Sequence, residues 1–123
     1  MPRHLLTIAA RGHCVDVQTN ALTLFAVLEE LRGAEAGAGG DFSVVTLWDA
    51  DEPPEPQDHE QRVQLLDPEG TELVSGTMPL HIQNPRHRVF ATVACPPLTQ
   101  SGRHVFAISI RPEGADEWQK VFE

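Results

Sequence analysis

Apolar residues recur at alternate positions along most of the chain, in short runs separated by Gly, Pro, Asn and Asp. A period of two places successive side chains on opposite faces of an extended strand, so the pattern predicts β-structure nearly throughout. The first run covers 5–10 and continues towards Val17. The second, 22–31, follows a turn at Gln18-Thr19-Asn20 and is apolar on both faces, as for a strand in the middle of a sheet. Phe25, Leu28 and Leu31 beside Glu29 and Glu30 also fit two turns of helix, and the segment stays open between the two readings. A third run, 42–48, carries Phe42, Val44 and Trp48 on one face and Val45 and Leu47 on the other. Runs 62–66 and 71–75 flank Asp67-Pro68-Glu69-Gly70, whose Asp, Pro and Gly suit positions i, i+1 and i+3 of a type I turn, which predicts a hairpin. Its second arm runs on irregularly past Gly76 and Pro79 to Ile82, and Asn84-Pro85 turns the chain. Strands over 88–95 and 104–111 are linked by 96–103, with Phe106, Ile108 and Ile110 facing a core. Residues 113–116 turn into a short closing strand, 118–122.

Seven or eight strands with regular turns and no crossover helices predict an all-β fold. Each sheet has one apolar face to hide, so the expected architecture is a two-sheet antiparallel β-sandwich, Ig-like or C2-like. A small closed barrel is the alternative. Two longer loops interrupt the pattern. Residues 33–40 are almost entirely Gly and Ala, and 49–60 hold Pro53, Pro54 and Pro56, which cannot feed a sheet ladder. No repeat or internal boundary shows, and 123 residues fit one domain spanning 1–123. A chain of that size buries roughly two-thirds of its unfolded surface.

Three stretches carry a resemblance. They are 15–31, with Asp16, Thr19-Asn20 and Leu22-Thr23-Leu24-Phe25; the Asp67-Pro68-Glu69-Gly70 hairpin; and Ser101-Gly102-Arg103-His104-Val105-Phe106 at the start of a late strand. Together they resemble a family of small stand-alone bacterial β-sandwich proteins catalogued as a domain of unknown function. The resemblance covers nearly the whole chain and implies the same fold. Its motifs are turn and core residues, and it implies no catalytic ones.

Charge narrows the partners. Eighteen acids against nine bases give a net charge of −9. A field of that sign repels phosphate backbones and anionic lipid surfaces, so no nucleic acid and no membrane is expected as a partner. No apolar run approaches the ~20 residues of a membrane helix. The N-terminal residues lack the apolar stretch of a signal peptide, so the chain is expected in the reducing cytoplasm. Cys14 and Cys95 are accordingly expected as two buried, unpaired thiols.

Candidate chemistry is sparse. His4, His13, His59, His81, His87 and His104 show no metal-ligand spacing, and the acids Asp49, Asp51, Glu52, Glu55, Asp58 and Glu60 match no calcium loop, so no metal and no cofactor is expected. No serine lies in a nucleophile-elbow context, and no catalytic residue is assigned. Trp118 and Phe122 are expected on one face of the closing strand, with Lys120 between them, where an edge could add a partner strand. The remaining cluster is basic. If strands 88–95 and 104–111 pair across their loop with Cys95 opposite Arg103, then His87 faces Arg111 and Arg88 faces Ile110. Arg86, His87, Arg88 and Arg111 would then gather at one end of a sheet. The protein's own acids, with Glu113 and Asp116 nearest in sequence, or an acidic partner or anion would answer them.

These features favour a non-enzymatic binding module that contacts another protein, or a second copy of itself, through an edge strand or end loops. The alternatives are a small-ligand-binding protein or metal-dependent enzyme with a site assembled across strands, and a subunit of a larger phage-derived or defence assembly.

Overall fold

The computed structural model describes residues 2–27, 40–50, 57–82 and 84–123. These form eight β-strands and no helix: β1 (Arg3–Val15), β2 (Leu22–Val27), β3 (Gly40–Asp49), β4 (Gln57–Leu66), β5 (Glu72–Ile82), β6 (Arg86–Cys95), β7 (Val105–Pro112) and β8 (Gln119–Phe122). They make two four-stranded antiparallel sheets, β2-β1-β3-β6 and β5-β4-β7-β8. Neither sheet closes on itself, so the architecture is a β-sandwich and not a barrel. No helix of the described residues is long and apolar enough to cross a membrane.

The period-two pattern builds the core directly. Val44, Trp48, Val89, Ala91 and Val93 of the first sheet pack on Val63, Leu80, Ile82, Ile108 and Ile110 of the second. A smaller cluster of Phe42, Leu65 and Cys95 closes one end, with Phe106 edge-on to Phe42 at 6.0 Å. Among the described residues one polar bond crosses this interior. The indole Nε1 of fully buried Trp48 donates to Oε1 of fully buried Gln61 at 2.7 Å, tying β3 to β4. A buried indole N–H needs such a partner, and Gln61 supplies it from the opposite sheet.

The predicted hairpin is the β4–β5 connection. Gly70 N–H bonds the Asp67 carbonyl at 2.9 Å, and Asp67 Oδ1 accepts from the Glu69 and Thr71 amides. Gly70 takes φ +83°, a left-handed conformation that glycine adopts without strain. Residues 57–60, expected within the acidic loop, are instead the start of β4. Here the alternation is carried by polar side chains: His59 and Gln61 are buried on the face that Val63 and Leu65 continue. Residues 51–56 of that loop, like the glycine-rich 33–39, lie outside the described residues. β5 is one continuous strand through Pro79. It lies at a sheet edge, where a missing N–H disturbs no ladder.

Two further expectations are corrected. The run 22–31 is strand over Leu22–Val27, and 28–31 lie outside the described residues; but this strand stands at the edge of its sheet. Phe25 and Val27 are therefore half exposed. The apolar residues on both of its faces reflect an overhang and not burial between neighbours. Strands β6 and β7 do not pair with each other. β6 pairs with β3, β7 pairs with β4, and 96–104 cross from one sheet to the other. Pro96 and Pro97 open that connection and cannot continue a ladder, and the apolar faces of both strands meet across the core instead of lying side by side.

The β1–β2 ribbon is an unanticipated element. β1 stays paired with β3 only as far as Ala10–Ser43, then continues with β2 alone. The ribbon folds back over the outer face of its own sheet. His13 stacks flat on Phe90 with ring centroids 4.4 Å apart, and its Nδ1 lies 2.9 Å from Ser43 Oγ. At the tip, Asn20 is held at φ 60° and accepts from Arg88 through its carbonyl and Oδ1 at 2.9 and 2.7 Å. This cover accounts for the burial of Ala10, Ser43 and Val45 on a face that would otherwise meet water. Asp16 sets the turn by accepting from the Gln18 and Thr19 amides, bonds that hold its carboxyl below the usual carboxylate range, Thr19 contributing most.

Candidate interaction surface

The four residues of the expected basic patch do not meet. Arg86, His87 and Arg88 open β6 in the first sheet, whereas Arg111 lies on the outer face of the second. Arg111 donates through Nε and Nη2 to Glu60 Oε2 at 3.1 and 2.8 Å, and its guanidinium stands 4.1 Å from the centre of the Trp118 ring. Arg86 Nε lies 3.4 Å from Asp49, a carboxylate that Arg3 also holds at 2.7 Å. Arg88 is occupied by Asn20. His87 is half buried, opposite Trp48 in the ladder. Burial pushes its pKa down, and the nearby His81 adds to the effect. The acids that answer the arginines are Asp49 and Glu60, not Glu113 and Asp116. The pairing that would have gathered the four fails because β6 and β7 belong to different sheets.

The aromatic pair of the C-terminal strand is also split. Trp118 precedes β8 and packs on the outer face between Arg62 and Arg111, with Arg62 at 4.7 Å. Phe122 turns to the other side, against His4 of β1 at 5.1 Å. The register shift in β8, between partners Ile108 and Ser109, inserts one residue and reverses the alternation. β8 is an edge strand, but only four residues long.

A shallow concavity of about 310 Å³ opens beside β4 and β5, lined by Asp58, Glu60, Thr77, Pro79, His81 and Glu113 among others. Asp58 and His81 are cross-strand partners joined side chain to side chain. His59 is buried, with no partner for its Nδ1 among the described residues, and desolvation lowers its pKa against the opposing pull of Asp58. Among the described residues no three His, Cys, Asp or Glu side chains converge to hold a metal ion. Both thiols are free, but Cys14 is exposed and not buried as expected, because it sits on the two-stranded ribbon; Cys95 is buried, which raises its pKa.

Backbone chemistry sets β6 apart. Among the described residues the two sheets end in four edge strands, β2, β6, β5 and β8. Proteins usually protect such edges with short length, bulges, proline or lysine. β8 is four residues long and bulged; β5 carries Gly76 and Pro79. β6 is neither short nor bulged and holds no proline or lysine, and its charged residues, Arg86 and Arg88, stand only at its start. Its ten residues, Arg-His-Arg-Val-Phe-Ala-Thr-Val-Ala-Cys, pair with β3 in unbroken register from Arg86–Asp49 to Cys95–Gly40. Among the described residues nothing pairs with its other side, so alternate N–H and C=O groups point outward. Sequence reading identified the strand but not its place at an edge. No local signal marks that place, since the central strand β4 lacks proline, glycine and lysine just as β6 does.

No family model, curated protein or solved structure matches the chain, so the reading of this surface rests on its geometry.

Proposed function

We propose that the chain is a non-enzymatic binding module that takes an extended polypeptide segment by strand addition along β6. The observation that carries this reading is the ten-residue, bulge-free edge, free of proline and lysine, where β8 is short and bulged and β5 carries Gly76 and Pro79. Strand addition draws affinity from main-chain hydrogen bonds and specificity from alternate side chains. Here Arg88, Phe90, Thr92 and Ala94 alternate with the core residues Val89, Ala91 and Val93; Thr92 and Ala94 are exposed and supply the outward contacts, while Arg88 and Phe90 are held by Asn20 and His13. The rigid sandwich behind the edge lowers the ordering cost on this side of the complex.

The test is selection of extended peptides from a displayed random library, followed by mapping of the selected binders through backbone amide shifts. Binding should perturb the amides of 86–95. It should be lost in the double variant Thr92→Lys, Ala94→Lys, which places two charges at exposed outward positions without touching the core. Shifts confined to the outer face of the β5-β4-β7-β8 sheet, or binding unaffected by the lysines, would overturn the proposal.

A further inference from the structure

We infer that the segment added to β6 is β6 of a second copy of this chain, in a two-fold antiparallel dimer that joins two four-stranded sheets into one of eight. This rests on the reading of β6 as an open edge and commits it to one occupant.

The argument is self-complementarity. A two-fold interface brings a strand against itself reversed, so whatever lies at one end of the edge must suit the other. The β6 edge is polarised in that way. Its start carries Arg86, exposed and bound to Asp49 only through Nε at 3.4 Å. Its far end carries exposed Asp41 on β3, the ladder partner of Ala94. Place the two-fold axis beside Phe90, close to the middle of the strand. Residues 86 and 94 of opposite copies then face each other, as do 88 and 92, and Phe90 faces its own counterpart. Arg86 lies beside the partner's Ala94, a side chain too small to block its reach to the partner's Asp41 on the next strand. Symmetry makes that contact twice. The reversed strand also sets Arg88 beside the partner's Thr92 and not beside another arginine, so like charges do not meet. Arg88 can keep its bonds to Asn20 throughout. Each Phe90 ring keeps its stack on His13, so the central pair meets edge to edge.

The chain's net charge of −9 opposes any self-association at long range. The local basic-to-acidic complementarity is therefore what selects this edge over the others.

Sedimentation velocity on the full chain across a concentration series tests this. The expected result is a species of twice the monomer mass that gives way to monomer on dilution. Thr92→Lys with Ala94→Lys should leave only monomer, with the far-ultraviolet circular dichroism unchanged. Arg86→Asp and Asp41→Arg should each weaken the dimer by about tenfold or more, since each disturbs two symmetry-related pairs. The double charge swap should restore it. A chain that stays monomeric at high concentration overturns the dimer. If that same monomer still binds selected peptides at β6, the edge reading survives and only the choice of occupant falls. A dimer that the lysine variant leaves intact places the contact elsewhere and overturns the inference as well.

Discussion

Gln61→Leu tests what the Trp48–Gln61 bond across the core contributes. Trp48 and Gln61 are both fully buried, and the 2.7 Å bond from Nε1 to Oε1 is the indole's partner in an apolar interior. Leucine has similar volume but no acceptor, so the variant leaves a buried N–H unpaired, at a cost of about 1–3 kcal/mol. Part is offset, because the Gln61 amide group finds only the thioether of Met78 at 3.7 Å, a weak acceptor whose loss costs little. The net expectation is a destabilisation of about 1–2 kcal/mol, or about 4–8 °C in Tm at roughly 4 °C per kcal/mol for a chain of this length. The reasoning is sharpened by Trp48→Phe. That change removes the donor and leaves a cavity, so it is costly by itself. In its background, however, Gln61→Leu no longer orphans anything and should cost at least about 1 kcal/mol less than in the wild type. Urea unfolding followed by far-ultraviolet circular dichroism gives all four corners of the cycle. Fluorescence does not serve, because Trp48→Phe leaves only Trp118 to report. Equal costs for Gln61→Leu in both backgrounds would refute the account of the bond as an inter-sheet tie.

Two further expectations follow from burial and backbone geometry. His4, His59 and His87 all have pKa values lowered by burial from 6.5, so the unfolded chain binds protons more readily than the folded one below that value. Stability is then full above about pH 7 and declines as the pH falls through 6.5 towards the folded-state values. A Tm series from pH 8 to 5 should show the decline, and His59→Gln should make it shallower; an unchanged slope in that variant would count against His59. Gly70→Ala meets open space and suffers only the left-handed φ of +83°, for about 1–2 kcal/mol. Gly102→Ala adds to its φ of +126° a Cβ placed 2.8 Å from Pro68 Cγ, so it should lower Tm further than Gly70→Ala, and the reverse order would contradict the packing of 102 on the hairpin turn.

Local patterning carried the all-β class, the hairpin at Asp67-Pro68-Glu69-Gly70 and the core face of Phe106, Ile108 and Ile110, because strand periodicity and turn chemistry depend on residues a few positions apart. The start of β4 escaped it because His59 and Gln61 occupy core-facing positions that polarity disguises. What the chain could not reveal locally is which strands become neighbours. β6 and β7 are consecutive yet lie in different sheets, and that one fact scattered the expected basic patch: Arg111 went to Glu60 and Trp118, Arg86 to Asp49, Arg88 to Asn20. The apolar alternation of a strand says that one face must be buried, but burial against a facing sheet satisfies it as well as a flanking hairpin does. The open edge of β6 and the fold-back of the β1–β2 ribbon are likewise properties of neighbours, present or absent, and so they exist only in the tertiary structure.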